Sequence, residues 1–253
     1  MGRPRLSASQ KQQVGQFQGI TGAAKEQAAE CLQASQWNVE VAINLFFNSG
    51  LTGGTLQTDS AVINLYEGYK DQQHDAIMAD GVGRFCHDLK VDPSDIVMLV
   101  ISWHFSAATM CEYTRDEFLD GMEELGCNSI DGVRRKLPQL RSELKNDQTF
   151  QEVYNYAYGF ACEKGQKCLQ LDTALAMWQL LFAEQGWPLV KSWCQFLEAN
   201  HKHAISKDTW SQLLDFAKIV RTEDDLEQFD ASNNSAWPYL IDDFVDQLRA
   251  KVA

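Results

Sequence analysis

From residue 61 onward, apolar positions return every three or four residues, the spacing that lines one face of an α-helix. Val82, Phe85, Cys86 and Leu89 form one such stripe; Ile96, Val97, Val100, Ile101 and His104 form the next; Phe118, Met122 and Leu125 a third. The same period predicts helices over 153–162, 172–182, 187–197, 207–220 and 238–252. No alternating strand pattern of useful length interrupts them. "DPSD", "TRDE" and "SKDTW" each put an acid or hydroxyl where a helix begins, able to take up unpaired N–H groups of the first turn. The pattern predicts an all-α fold.

Residues 8–47 repeat the pattern on a smaller scale. Val14, Phe17 and Ile20 mark one helix, which breaks at Thr21-Gly22. Ala24, Ala28, Cys31 and Leu32 mark a second; Val39, Ala42, Leu45 and Phe46, after Asn38 as a cap, mark a third. So short a segment buries little apolar surface and must pack tightly. "NSGLTGGTLQTDS", residues 48–60, is rich in Gly, Ser and Thr and reads as a flexible linker. The expected organisation is a three-helix bundle over 8–47, a linker over 48–60 and a larger helical domain over 61–250.

Charge narrows the partners. The chain carries 35 acids and 22 bases, a formal net charge of −13. Phosphate neutralisation needs clustered Lys and Arg, so no nucleic acid is expected as partner. A basic protein surface fits better. The N-terminus lacks the apolar core of a signal peptide, and Leu6 stands where a myristoylation signal needs Ser or Thr. No apolar run reaches the length of a membrane span, so no membrane is expected either, and the expected location is cytoplasm and nucleus.

The acids are unevenly spread. Between Asp208 and Asp246 ten of them face only two bases, Lys218 and Arg221. Within this region "SAWPYLIDDFVDQL" opens a helix at Pro238, with Leu240, Ile241, Phe244, Val245 and Leu248 on one stripe. Asp242, Asp243 and Asp246 fall outside that stripe, near the positive end of the helix dipole, and a capped surface helix would account for them. It would not account for Asp208 and Asp242 lying beside Trp210 and Ala236, both read as leaning to the surface.

Candidate chemistry is sparse. "DQQHDAIMADGV" offers oxygens at Asp71, Gln73 and Asp75 in EF-hand order. It places Ala76 where the loop needs Gly and Val82 where it needs a bidentate Glu, so no calcium is expected. The seven cysteines are scattered without a CxxC pair, and no zinc or other metal site is expected. Cys111 follows His104, and Cys86 precedes His87, but an acidic chain offers no electropositive setting for a thiolate, and Cys111 reads as part of a packed wall. Phosphate-loop, GxSxG and HExxH motifs are lacking; no catalytic residue and no cofactor are expected. Met98, Ile101, Ser102 and Phe105 form an apolar stripe that reads as core or as pocket.

Two long stretches carry a resemblance. "ISKDTWSQLLDF" with "SAWPYLIDDFV", together with "DGVGRFCHDLKVDPSDIVMLVISWHFSAATMCEYTRDEFLDGMEELGCNSI" and "GQKCLQLDTALAMW", resemble the PONY domain of the DCN-like (defective in cullin neddylation) family. Residues 8–47 resemble the ubiquitin-associated (UBA) module that precedes it in many members. The resemblance implies EF-hand-like helix pairs lacking calcium ligands. It also implies a non-catalytic co-ligase that holds a cullin C-terminal region, its RING subunit and the charged, N-acetylated neddylation conjugating enzyme.

By the same resemblance, the family's cullin-binding Asp–Ala–Asp patch falls on Asp208, Ala236 and Asp242. The pocket for the acetylated Met falls on Val82, Phe85, Met98, Ile101, Phe105, Cys111, Tyr113, Phe160 and Leu180. Ser102 stands where the family often has Ala, and Tyr113 where Phe is usual. Thr21-Gly22-Ala23 replaces the Met-Gly-Phe loop of UBA modules; with Leu45 and Phe46 it marks the candidate ubiquitin-binding surface. Two other readings stand beside the co-ligase: a ubiquitin- or cullin-binding adaptor, and a transferase carrying the modifier on a cysteine.

Overall fold

The computed structural model describes residues 8–21, 25–48, 56–227 and 237–252. The chain divides into two units, Met1–Ala61 and Val62–Ala253.

The first unit holds α1 (Ala8–Thr21), α2 (Lys25–Ala34) and α3 (Val39–Asn48). Phe17 and Phe46 meet edge to face at 5.4 Å inside a core that includes Val14, Ala28, Cys31, Leu32 and Ala42. Gln36 and Trp37 take left-handed backbone angles to reverse the chain, and Asn38 then caps α3 by accepting the Val41 N–H at 3.1 Å. Ile20, expected on the inner face, is 54% exposed, because Val14 and Phe17 already fill the space on that side of α1. Ala24 lies outside the described residues.

The second unit begins within α4 (Leu56–Tyr69), whose Val62, Tyr66 and Tyr69 are buried in its core. Of the expected linker, Asn48 belongs to α3 and residues 56–60 are helical, while residues 49–55 lie outside the described residues. After α4 the order is β1 (Ala76–Ile77), α5 (Ala79–Leu89), α6 (Ile96–His104), β2 (Tyr113–Thr114) and α7 (Arg115–Glu124). β1 and β2 pair antiparallel, Ala76 opposite Thr114 and Ile77 opposite Tyr113, tying two helix–loop–helix units together as EF-hand pairs are tied. The first loop uses its oxygens on itself. Asp71 accepts the N–H groups of Gln73 and His74 at 2.8 and 3.0 Å, and Asp75 pairs with the Lys70 ammonium at 3.0 Å. A side-chain cation thus serves the carboxylate that a metal would otherwise need, and no metal-holding cluster occurs among the described residues.

Then follow α8 (Ile130–Glu143), α9 (Asp147–Ala161), α10 (Leu171–Gln185), α11 (Val190–Asn200), α12 (Lys207–Ile219), a 3-10 turn (Glu223–Glu227) and α13 (Tyr239–Val252). Asp95, Thr114 and Ser206 cap α6, α7 and α12, the last two accepting the N–H three residues on, and Thr114 with Glu117 forms a full capping box. Helix α8 has no counterpart in the pattern read above. Its stripe of Val133, Leu137 and Leu140 is buried, but Pro138 and a run of charged residues mask the period. His104, at the end of α6, reaches Glu124 and Glu143 at 2.8 Å each and so joins the ends of α6, α7 and α8.

An aromatic stack holds α9, α10 and α12 together. Trp210 lies between Tyr154 and Trp178, at 4.8 and 5.0 Å. The Trp210 indole donates to the Tyr154 carbonyl at 2.9 Å, and the Tyr154 hydroxyl returns a bond to the Trp210 carbonyl at 2.8 Å. Such pairs contribute about 0.5–1.5 kcal/mol each beyond burial alone. Trp210 is thus fully buried rather than leaning outward: an α12 face this rich in Leu and aromatics is drawn wholly into the core.

Candidate functional site

Two features of the second unit stand apart from its packed core. The first is a cavity of about 680 Å³ between α5, α6, α9, α10 and the loop from 105 to 112. Six of the nine expected pocket residues line it: Val82, Met98, Cys111, Tyr113, Phe160 and Leu180. The other three do not. Phe85, Ile101 and Phe105 are fully buried behind the wall, where Phe85 and Phe105 sit 6.5 and 5.2 Å from the Tyr113 ring and both pack on Phe118. On α6 the cavity therefore takes Met98 and Ser102, while Ile101 and Phe105 turn to the core. Cys86, Leu99, Met110, Ala176 and Met177 add to the apolar lining, with Pro93, Ser94 and Asp95 before α6 and Asp172, Thr173 and Gln179 on α10. Two of these were within reach of helix spacing, since Cys86 follows Val82 by one turn and Ala176 precedes Leu180 by one turn.

The cavity is rigidly framed. Met110 N–H donates to the Phe160 carbonyl at 3.0 Å, Ala108 N–H to Glu117 at 2.8 Å, and Lys164 pairs with Glu112 at 2.7 Å. The Tyr156 hydroxyl lies 2.9 and 2.8 Å from the carbonyls of Ser102 and Ala107. Ser106 and Cys111 take left-handed angles that these bonds hold in place. Cys111 is exposed at the mouth rather than packed in a wall, because its left-handed backbone turns it away from the core. Cys86 is buried, and burial, then the neighbouring Cys111, push its thiol up to about 11. Of the two acids on the lining, Asp172 is exposed and Asp95 is taken: burial raises the Asp95 pKa, but two bonds from Arg141 at 2.6 and 2.5 Å and the Val97 N–H hold it below the usual range.

Ser102 and Tyr113 explain each other. Their hydroxyls are 2.8 Å apart, and Ser102 also donates to the Met98 carbonyl at 2.8 Å. Tyr113 OH therefore donates to Ser102 Oγ, and each polar atom brought into the apolar wall finds its partner in the other. Burial, its largest cause, raises the Tyr113 pKa, so the phenol stays neutral. Ser102→Ala strands the Tyr113 hydroxyl and is expected to cost about 1–3 kcal/mol. Tyr113→Phe leaves Ser102 on Met98 and should cost about 0.5–1.5 kcal/mol, with the double variant close to that single one. Urea unfolding of the four proteins checks this; strictly additive changes would sink the pairing.

The second feature is acidic. Asp208 lies in the first turn of α12, exposed, its Oδ1 accepting from the Gln212 amide at 2.9 Å. Asp242 lies in the first turn of α13, and its Oδ1 is buried without a hydrogen-bond partner among the described residues. Burial, then repulsion from Asp246 and Asp243, raise its pKa. Neither carboxylate pairs with a base among the described residues. Phe216 on α12 packs against Phe244 and Trp237, at 6.3 and 6.1 Å, joining α13 to α12. Ala236 lies outside the described residues.

In the first unit Thr21 donates to the Phe17 carbonyl at 2.8 Å, and Gly22 and Ala23 lie outside the described residues. Leu45 lies on α3. Phe46 is 2% exposed; paired with Phe17 in the core, it offers no surface to a partner and is removed from the candidate ubiquitin contacts.

Comparison with known proteins agrees with this division. Residues 132–247 match a family model described as "Cullin binding", and residues 11–51 one described as "UBA-like domain". DCN1-like protein 3 of Homo sapiens is 39% identical over 186 residues, covering 72% of this chain and 60% of that protein. DCN1-like protein 3 of Xenopus laevis is 34% identical over 231 residues, 90% of this chain and 74% of the relative. DCN1-like protein 4 of Drosophila melanogaster is 40% identical over 170 residues, 67% and 66% of the two chains. The chain thus joins a UBA-like module to a helical domain of the cullin-binding type. It belongs to the DCN1-like family. It spans 60% of the length of its mammalian relatives.

Proposed function

We propose that this chain is a scaffold-type co-ligase of cullin neddylation. It grips a basic surface of a cullin through Asp208 and Asp242, and takes the acetylated N-terminus of the conjugating enzyme into the 680 Å³ cavity. The observation that carries the reading is the match of residues 132–247 to a cullin-binding family model, over a segment that contains both unpaired carboxylates. The rate gain needs no catalytic side chain, since holding donor and acceptor in register supplies effective concentration. A transferase thiol is disfavoured: His104, the nearest histidine in sequence to Cys111, is held between two glutamates.

Reconstituted cullin neddylation, with the RING subunit and conjugating enzyme, tests this. Adding the chain should raise the initial rate at least about tenfold at limiting conjugating enzyme. Binding of both partners without a rate change would favour the adaptor reading instead. A rate lost in Cys111→Ser with both bindings intact would favour the thiol transferase.

A further inference from the structure

We propose that Cys162 and Cys168 are a redox modification site, a thiol pair that hydrogen peroxide closes into a disulfide between the end of α9 and the start of α10. The chain reverses between them. Gln166 N–H donates to the Glu163 carbonyl at 2.9 Å, and Gly165 takes the positive φ of 80° that the third position of such a turn requires. A disulfide needs Cα atoms about 4.4–6.8 Å apart. A four-residue turn brings its two ends within about 7 Å, and Cys162 and Cys168 lie just outside those ends. Tyr158 pins both sides of the reversal. It stands one helical turn before Cys162 on α9, and its hydroxyl donates to the carbonyl of Lys167, the residue before Cys168, at 3.0 Å. Standard backbone dimensions then put the Cys168 Cα within about 6 Å of that hydroxyl. Leu169, on the other side of Cys168, is fully buried and bonded through both backbone groups to Ile205, at 3.1 and 2.7 Å.

The electrostatics agree with this placement. Burial first, then Cys168, raises the Cys162 pKa, and the Tyr158 hydroxyl is pushed up to about 12 by burial, then by Cys162 and Cys168. The two thiols divide the work by exposure. Cys168 is exposed and meets the oxidant; Cys162 is half-buried and resolves it. The Cys168 thiolate attacks one peroxide oxygen, the O–O bond breaks, and hydroxide leaves a sulfenic acid on Cys168. The Cys162 thiolate then attacks that sulfur, the S–O bond breaks, and the hydroxyl departs as water with the Cys162 proton. Together the thiols lose two electrons and two protons, and the peroxide becomes two waters. Cys111 is the other exposed thiol, but its neighbour Cys86 is buried, with its thiol pushed up to about 11, and is a poor resolving partner. The bond has a place in the architecture. Phe160 and Asp172, on either side of the loop, line the large cavity, so closing the disulfide ties two of its walls together.

The test treats the full, folded chain with dilute hydrogen peroxide, blocks remaining thiols with iodoacetamide and digests it with trypsin without reduction. Cleavage after Lys145, Lys164, Lys167 and Lys191 separates the two cysteines. The expected product, read by mass spectrometry, is residues 146–164 joined to residues 168–191, two hydrogens lighter than the sum and lost on treatment with dithiothreitol. Cys162→Ser and Cys168→Ser should each abolish it. The oxidised chain should unfold at a higher urea midpoint than the reduced one, and exchange of the Gln166 amide hydrogen should slow at least about tenfold. The proposal is overturned if both cysteines are recovered alkylated while Cys86 is joined to Cys111, or if Cys168 links only to a second chain. A lower urea midpoint would overturn it as well, since the bond would then not fit the native loop. None of these readouts depends on cullin or on the conjugating enzyme, so failure of neddylation stimulation leaves the site standing.

Discussion

Replacing Asp208 and Asp242 together by lysine is expected to remove cullin binding while the helical fold survives. Both groups sit in first turns of helices, where they hold no basic partner among the described residues, so reversal breaks no internal ion pair. Loss of paired, partly buried charges at an interface costs about 2–5 kcal/mol, which corresponds to roughly 30- to 4,000-fold in affinity. Calorimetry at physiological salt against a cullin C-terminal fragment reads it out, and unchanged affinity would remove the patch. Asp242 should account for more of the loss than Asp208, since its Oδ1 is already stripped of water and of partners. The same stripping has a cost in the free protein. A folded carboxyl whose pKa lies above the ordinary 3.8 binds its proton more tightly than in the unfolded chain. Stability therefore falls as pH rises from 3.8 through the raised value, and the penalty is complete at neutral pH. Asp242→Asn should raise the urea midpoint at pH 7 and not at pH 3, while weakening cullin binding. An equal effect at both pH values would show that charge is not the cause.

The second large effect is expected from a single acetyl group. A peptide with the N-terminal sequence of the conjugating enzyme should bind roughly one hundredfold more tightly when acetylated than with a free amine. The cavity is lined chiefly by apolar side chains; of the two acids on its lining, Asp95 is held by Arg141 and Asp172 is exposed to solvent, where its attraction is screened, so an ammonium entering among the apolar groups loses water and gains little counter-charge. A neutral amide loses far less, and a Met side chain adapts to the irregular wall of Met98, Met177 and Leu180. Leu180→Trp, which narrows the cavity, should abolish the preference along with the binding. Equal affinity of the two peptides, measured by anisotropy, would refute the assignment of the cavity to that N-terminus.

Much of the fold was legible because its signals are local. The caps Asp95, Thr114 and Ser206 bond to N–H groups two or three residues away, so short stretches such as "TRDE" contain all the parts. Helix α8 was not legible, because Pro138 and the surrounding charges hide a stripe that only neighbouring helices complete. Trp210 misled for a related reason: its burial depends on Tyr154 and Trp178, each far away in sequence. Within the cavity, the family resemblance supplied the right elements but not the rotation of each helix. Ile101 and Phe105 share the stripe of Met98 and Ser102, and contacts distant in sequence, such as Phe105 on Phe118, accompany their turning into the core. The stranded oxygen of Asp242 leaves no trace in composition or spacing, since solvation is settled only after the chain has folded.

The loop between α4 and β1 has a consequence for how the protein behaves in a changing cell. EF-hand pairs that respond to calcium move their helices when the ion arrives and leave them when it goes. Here Lys70 pairs with Asp75, and Asp71 accepts from its own backbone. Through β1 and β2 that loop is fastened to Tyr113, one wall of the cavity. The first loop therefore offers an arriving divalent ion no uncommitted carboxylate, and the strand pairing behind Tyr113 is expected to stay as it is when calcium rises.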